Sequence, residues 1–313
     1  MEKLLVTGAL GQIGTELTAH LRNIYGQENV VASDMKENSI DMGLFERLDV
    51  LNAQNIADVV KKHKINRIVH LAAILSAVGE RNPKLAFDVN MNGLYNVLEV
   101  GRETGCAVFT PSSIAAFGPT TPADNTPQDT IQRPTTMYGV TKVAGELLCD
   151  YYFKKFGVDT RGVRFPGLIS YVAPPGGGTT DYAVDIYYEA VKNKSYNCYI
   201  KEGTYMDMMY MPDALNAISS LMEADASKLV HRNAFNISAM SFAPEHIYAE
   251  IKKHIPEFTM TYDVDPMRQA NADSWPNSLD DSVAREEWGW NPKYDLASMT
   301  IDMLEKLKIK FNK

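Results

Sequence analysis

A chain of 313 residues is long enough for one large domain, or for a nucleotide-binding domain with a smaller second lobe. Its 45% hydrophobic and 22% charged residues are an ordinary globular composition, and no apolar run approaches the ~18 residues that suggest a membrane span. The net charge of -8, with no basic stripe to offset it, argues against a nucleic-acid partner.

Short β-rich runs alternate with helical stretches through the first half. Strands are expected at Leu4-Leu5-Val6, Val30-Val31-Ala32, Arg67-Ile68-Val69-His70-Leu71, Ala107-Val108-Phe109 and Thr160-Arg161-Gly162-Val163-Arg164. Amphipathic helices are expected between them, near 12–24, 54–63, 83–103 and 138–156. Alternation of this kind predicts an α/β fold, a doubly wound parallel Rossmann-type sheet with helices on both faces. After about residue 170 the texture changes at Pro174-Pro175-Gly176-Gly177-Gly178, a turn-rich break. Beyond it, helices are expected near 181–193, 212–224, 243–254 and 296–309, with a strand near 234–237. The expected division is therefore a nucleotide-binding domain over 1–169 and a smaller substrate-binding lobe over 170–313, some of whose segments return to the sheet.

Cys106, Cys149 and Cys198 are odd in number and far apart, which suits reduced thiols in a cytoplasmic compartment. The six histidines form no HxxxH or Cys/His cluster, so no metal site is expected. With the first strand starting at about Lys3, no stretch ahead of it has the length of a signal peptide.

Thr7-Gly8-Ala9-Leu10-Gly11-Gln12-Ile13-Gly14 follows a strand and opens a helix. The glycines permit a tight turn and close backbone approach to a pyrophosphate, and the helix N-terminus offers free N–H groups to it. The spacing is GxxGxxG, which by itself also suits a plain glycine-rich turn. Asp34 lies 20 residues beyond Gly14, where a carboxylate can bind adenosine ribose hydroxyls and repel a 2′-phosphate. NAD is therefore the expected cofactor, with Lys36 read as an exposed loop lysine and not as a phosphate partner. Asp49 and Val50 could bracket the adenine. Leu71-Ala72-Ala73 ends the third strand with the small residues that close approach to a cofactor requires.

Tyr138-Gly139-Val140-Thr141-Lys142 places a phenol and an ammonium on one face of a helix. The nearby cation favours the ionised phenol and so a general base, and it can also hold the nicotinamide ribose. Alone, the pair would read more readily as a solvated helix face. Ser112 and Ser113 strengthen it, because they follow the fourth strand at the carboxyl edge of the sheet, on the side of the glycine loop. A hydroxyl there can hydrogen-bond the reacting oxygen.

In this order, TGALGQIG, HLAA, PSSIAAFG, YGVTK, RFPG and MYMPDAL resemble the extended short-chain dehydrogenase/reductases over almost the whole chain. The segments IQRPTTMYGVTK, RFPGLIS, PPGGGTTDYAVDIYY, FNISAMSF, DPMRQANADSWP and LDDSVAREEWGW look most like the L-threonine 3-dehydrogenases within that family, relatives of UDP-galactose 4-epimerase. The resemblance implies NAD+-dependent oxidation of the threonine C3 hydroxyl to 2-amino-3-oxobutanoate. Carried over by position, Tyr138 would be the general base, Lys142 its partner and ribose anchor, and Ser113 the hydroxyl-binding residue, with Ser112 beside it. Asn90 and Pro166 would support the cofactor site, and Ser76, Thr179 and Thr180 would line the amino-acid pocket. Trp275 reads as a core residue or as part of a covering segment. The helices near 83–103 and 138–156 would form a homodimer interface, with Leu94, Val97, Leu98, Leu147, Leu148 and Tyr152 either on that interface or against the chain's own sheet. A UDP-sugar epimerase or dehydratase is the alternative, which Arg164-Phe165-Pro166-Gly167 weakens because the sugar-nucleotide enzymes usually have asparagine soon after this arginine. A non-catalytic NAD sensor would have no need of Tyr138 with Lys142.

Overall fold

The computed structural model describes residues 2–37, 41–174 and 178–312. The middle of the Pro174–Gly178 break lies outside them. Contacts divide the chain into two compact units. The first comprises Met1–Ala116, Thr136–Arg164 and Leu215–Phe235; the second comprises Phe117–Thr135, Phe165–Ala214 and Asn236–Lys313.

The elements run β1 (Leu4–Thr7), α1 (Gln12–Tyr25), β2 (Val30–Asp34), β3 (Phe45–Arg47), α2 (Ala53–His63), β4 (Arg67–His70), α3 (Ser76–Arg81), α4 (Pro83–Phe87) and α5 (Gly93–Thr104). Then come β5 (Ala107–Phe109), β6 (Ser112–Ser113), α6 (Met137–Phe156), β7 (Thr160–Arg161), β8 (Val163–Phe165) and β9 (Gly167–Ile169). They continue as α7 (Tyr182–Lys192), β10 (Ser195–Cys198), β11 (Met206–Tyr210), α8 (Met211–Glu223), β12 (Phe235–Asn236) and β13 (Met240–Phe242). The last are α9 (Pro244–His254), β14 (Thr259–Tyr262), α10 (Pro266–Asp273), α11 (Ser282–Trp288) and α12 (Leu296–Lys310).

In the first unit six strands pair in the order β3-β2-β1-β4-β5-β7, every pair parallel. This is the Rossmann order, with its switch point at β1 and β4. All four residues of β1 are buried, as apolar strands covered on both faces must be. Leu5, Val31, Ile56, Ile68, Val97 and Val108 belong to one apolar core under α2, α5 and α6. Each such side chain contributes roughly 1.5–3 kcal/mol by leaving water. Leu94, Leu98 and Tyr152 are spent in this same core, so they are not free to face another subunit. The segment Leu215–Phe235 is stitched to the first unit by Arg161, whose guanidinium donates to the carbonyls of Leu221 and Ala224 at 2.8 and 2.7 Å.

The stretch expected to be one helix near 83–103 is broken. Asn82 caps α4 by accepting from Leu85 N, and Pro83 takes the first helical position, where its missing N–H does no harm. Residues Asp88–Asn92 form a π-type turn before α5 resumes, a local widening that is common at functional sites. The single strand expected over 160–164 is divided at Gly162, where a β-carbon would lie 2.2 Å from the Thr110 carbonyl oxygen.

In the second unit β11 pairs parallel to β9 and antiparallel to β13, and β10 pairs with β14. Asp207 on β11 is fully buried. It accepts from Ser238 Oγ at 2.9 Å and Leu279 N at 2.8 Å, and burial pushes its carboxyl up to about 7. Trp275 is buried. No helix among the described residues is long and apolar enough to cross a membrane. Cys106, Cys149 and Cys198 are all buried free thiols.

Candidate active site

The loop between β1 and α1 is shaped by its glycines. Gly8 has φ +69°, and a β-carbon on it would lie 2.7 Å from Ala72 N; one on Gly14 would lie 2.3 Å from Gly8 O. Glycine is therefore required at both places, and the loop sits against the Leu71–Ala72 backbone at the end of β4. Gly11 is the N-cap of α1 and supplies no side-chain cap, so the first-turn N–H groups of Gln12, Ile13 and Gly14 are oriented for an anion. The buried Gln12 Nε2 has no hydrogen-bond partner among the described residues. A buried donor without a partner is costly, and a bound dinucleotide would satisfy it. The cradle fits NAD.

Asp34 ends β2 beside this loop. Its Oδ2 accepts from Leu10 N at 3.1 Å and its Oδ1 from Lys36 N at 3.1 Å, while the Lys36 side chain is exposed. Asp49 is held by its own turn, with Oδ1 accepting from Leu51 N at 2.9 Å, and Val50 is buried. Asn90, in the π-type turn, brackets residue 74: its Oδ1 accepts from Ile74 N at 2.8 Å and its Nδ2 donates to Ile74 O at 3.1 Å. Nδ2 also donates to Thr141 Oγ1 at 3.1 Å, tying the chain after Leu71-Ala72-Ala73 to α6.

Thr136 caps α6 by accepting from Gly139 N at 3.0 Å, and Glu80 on α3 accepts from Met137 N at 2.7 Å. Two independent contacts thus fix the first turn, which carries Tyr138. Tyr138 and Lys142 are both half-buried. The Lys142 ammonium stands 5.4 Å from the centre of the phenol ring and donates to Pro111 O at 2.7 Å. Ser113 is half-buried with its Oγ accepting from Ala115 N at 3.2 Å. Ser112 is buried, and its hydroxyl donates to Glu146. Ser76 is buried at the start of α3.

Beside Lys142 is a small recess, lined by His70, Ala72, Asn90, Ser112, Lys142 and Glu146 among others. His70 is buried, with Nδ1 2.9 Å from Thr7 Oγ1. Burial, then the Lys142 charge, pushes its imidazole down to about 3, so it is a neutral group at physiological pH. The remaining site residues expected from the sequence lie in the second unit. There Pro166 is buried between β8 and β9, Thr179 Oγ1 accepts from Asn271 Nδ2 at 3.3 Å, and Thr180 lies against Gly167. Glu80, His70 and Glu146 were missed by the sequence reading. Glu146 alone left a signal there, since it continues the four-residue spacing of Tyr138 and Lys142.

Fold and dinucleotide cradle together define an NAD-dependent enzyme on a Rossmann sheet. Residues 4–238 match the NAD dependent epimerase/dehydratase family, and the chain belongs to that family. It is 60% identical, over 99% of both chains, to an uncharacterized epimerase/dehydratase of Staphylococcus haemolyticus. Among solved structures it is similar to an L-threonine dehydrogenase from Clostridium difficile. The two are 64% identical with a TM-score of 0.98, over 99% of this chain and 98% of that one. It is also similar to a monomeric L-threonine 3-dehydrogenase from a metagenome, at 47% identity and a TM-score of 0.95 over 99% of this chain and 100% of that one. Among the described residues no group of three or more His, Cys, Asp or Glu side chains could hold a metal ion.

Proposed function

We propose that the protein is a dehydrogenase that oxidises the C3 hydroxyl of L-threonine to 2-amino-3-oxobutanoate. The single observation carrying the substrate is the 64% identity to an L-threonine dehydrogenase along nearly the full length of both chains.

The chemistry follows from the residues. Tyr138, as phenolate, takes the proton of the C3 hydroxyl as the C3–H bond breaks. NAD+, when held in the glycine-loop cradle, would supply the hydride acceptor. Lys142, whose ammonium stands beside the phenol ring, would offer a donor to the nicotinamide ribose. Ser113 holds the reacting oxygen and places it against the phenolate. Gly8, Gly11, Gln12, Ile13 and Gly14 would hold the pyrophosphate, and Asp34 the adenosine ribose. Asp49 and Val50 would flank the adenine, Leu71, Ala72 and Ala73 would line the approach to the nicotinamide, and Asn90 would support that part of the site.

A UDP-sugar epimerase or dehydratase is the second reading, and the Staphylococcus haemolyticus relative is described as an uncharacterized epimerase/dehydratase. Absorbance at 340 nm with NAD+ and L-threonine separates the two, with L-serine, L-allo-threonine and UDP-galactose in parallel. NADH formed with L-threonine, and lost in Tyr138→Phe while NAD+ still binds, is the expected result. No NADH from any amino acid would overturn the substrate, and near-wild-type turnover in Tyr138→Phe would overturn the base.

The proposal extends to a cytoplasmic homodimer formed through the outward faces of α5 and α6. Those faces carry Tyr95, Leu147 and Tyr151, all large and exposed, in place of Leu94, Val97, Leu98 and Tyr152, which face the core. Exposed apolar groups clustered on adjacent helices suit a second copy of the chain.

A further inference from the structure

Glu146 has no part in the chemistry described above, yet it is a buried carboxylate on the same helical stripe as the catalytic pair. Tyr138, Lys142 and Glu146 follow one another at four-residue intervals on α6, so they stack along one face. Arg164 on β8 grips Glu146 at both oxygens, Nε to Oε1 at 3.0 Å and Nη2 to Oε2 at 2.9 Å. Both side chains are 7% exposed. Such a bidentate pair has a fixed geometry. Taking two charges out of water is expensive, and an apolar pair of the same volume would often be as stable. Its use here therefore calls for a reason besides stability.

That reason lies in what the pair holds. Glu146 also accepts from the Ser112 hydroxyl. One turn earlier, Lys142 donates to the carbonyl of Pro111. Two successive turns of α6 thus grip two successive residues, and the next residue in the chain is Ser113.

We propose that Glu146, fixed by Arg164, is a positioning residue that holds Ser112 so that the Ser113 hydroxyl meets the oxygen deprotonated by Tyr138. Ser112 is then a tether and not a substrate ligand. The inference rests on the reading of Ser113 as the hydroxyl-binding residue, and the test keeps the two apart.

The test is a double-mutant cycle in the purified enzyme with NAD+ and L-threonine, folding being checked by circular dichroism. Ser113→Ala alone reports on the underlying reading; unchanged kcat there would overturn that reading, and with it the assigned target of the tether. Ser112→Ala should lower kcat roughly tenfold, because loss of orientation falls on the chemical step. The KM for NAD+ should stay within about twofold, since the dinucleotide cradle is untouched. In the Ser113→Ala background the same substitution should change kcat by less than about twofold, the tether having lost its target. Wild-type kcat in Ser112→Ala, or losses that multiply in the double variant, would overturn the proposal while leaving Ser113 in its role. Glu146→Gln gives a second route, because the amide oxygen can still accept from Ser112 but the charge that fixes Arg164 is gone. A folded variant with lowered kcat and an unchanged KM for NAD+ supports the proposal. A folded variant with unchanged kcat overturns it.

Discussion

Replacing His70 by asparagine should change how stability depends on pH. In the folded protein the imidazole is buried beside Thr7 and near Lys142, and it is pushed down to about 3. In the unfolded chain it returns to an ordinary value of about 6.5. Below that pH the unfolded state binds a proton that the folded state refuses, so stability falls as pH falls, and above it the residue contributes no pH dependence. The slope is about 1.4 kcal/mol per pH unit, which amounts to about 2 kcal/mol between pH 6.5 and 5. His70→Asn keeps a polar atom for Thr7 and loses the titration. Wild type and variant should therefore differ by a constant above neutrality and move together, in the variant's favour, as pH falls. The buried Asp207 works with the opposite sign. Its carboxyl is raised to about 7 and takes up its proton first in the folded state, so it adds stability as pH falls from 7 towards 4. Taking the difference between the two proteins cancels that contribution. The assay is urea unfolding at a series of pH values, followed by far-ultraviolet circular dichroism, since all three tryptophans lie in the second unit and His70 in the first. A wild-type-minus-variant difference that does not vary with pH would refute the reasoning, because His70 would then titrate alike in both states.

Asp34→Ala should raise the KM for NAD+ about tenfold with little change in kcat, the loss expected for one charge-assisted hydrogen bond to a ribose; an unchanged KM would place the ribose elsewhere. Leu147→Asp should convert a dimer to monomers in sedimentation equilibrium without unfolding the chain, since Leu147 is 62% exposed, and a wild type that sediments as a monomer would refute the interface.

Much of the first unit was legible because its strands and helices obey simple periodicities. The strands at Leu4, Val30, Arg67 and Ala107 are apolar runs of a kind that parallel sheets bury, and the glycine loop announces the turn that follows the first of them. The Tyr138–Lys142 pair was legible because α6 is regular, so sequence spacing translates directly into a face. What was missed has physical causes. β11, Met-Asp-Met-Met-Tyr, is buried throughout without alternation or β-branched residues, so neither period nor propensity marks it. The break at Asp88–Asn92 and the division at Gly162 depend on contacts with Ile74 and Thr110, which are distant in sequence. The expectation that Leu94, Val97 and Leu98 could face a partner came from helix periodicity, which defines an apolar face but not what covers it. Ser112 and Ser113 could not be told apart in the sequence by spacing, because the difference between them is the burial of one hydroxyl against Glu146.

The two units are interleaved along the chain. The first is completed only by Leu215–Phe235, and Phe117–Thr135 of the second is made before Thr136–Arg164 of the first. During synthesis the nucleotide-binding sheet can pair its strands early, but Arg161 gains its carbonyl partners at Leu221 and Ala224 only when about three quarters of the chain has left the ribosome. A nascent chain stalled shortly after β9 would present a sheet with that edge unfinished. The order of translation therefore leaves a window in which the growing chain is open to chaperones and proteases, and it closes only when α8 has docked.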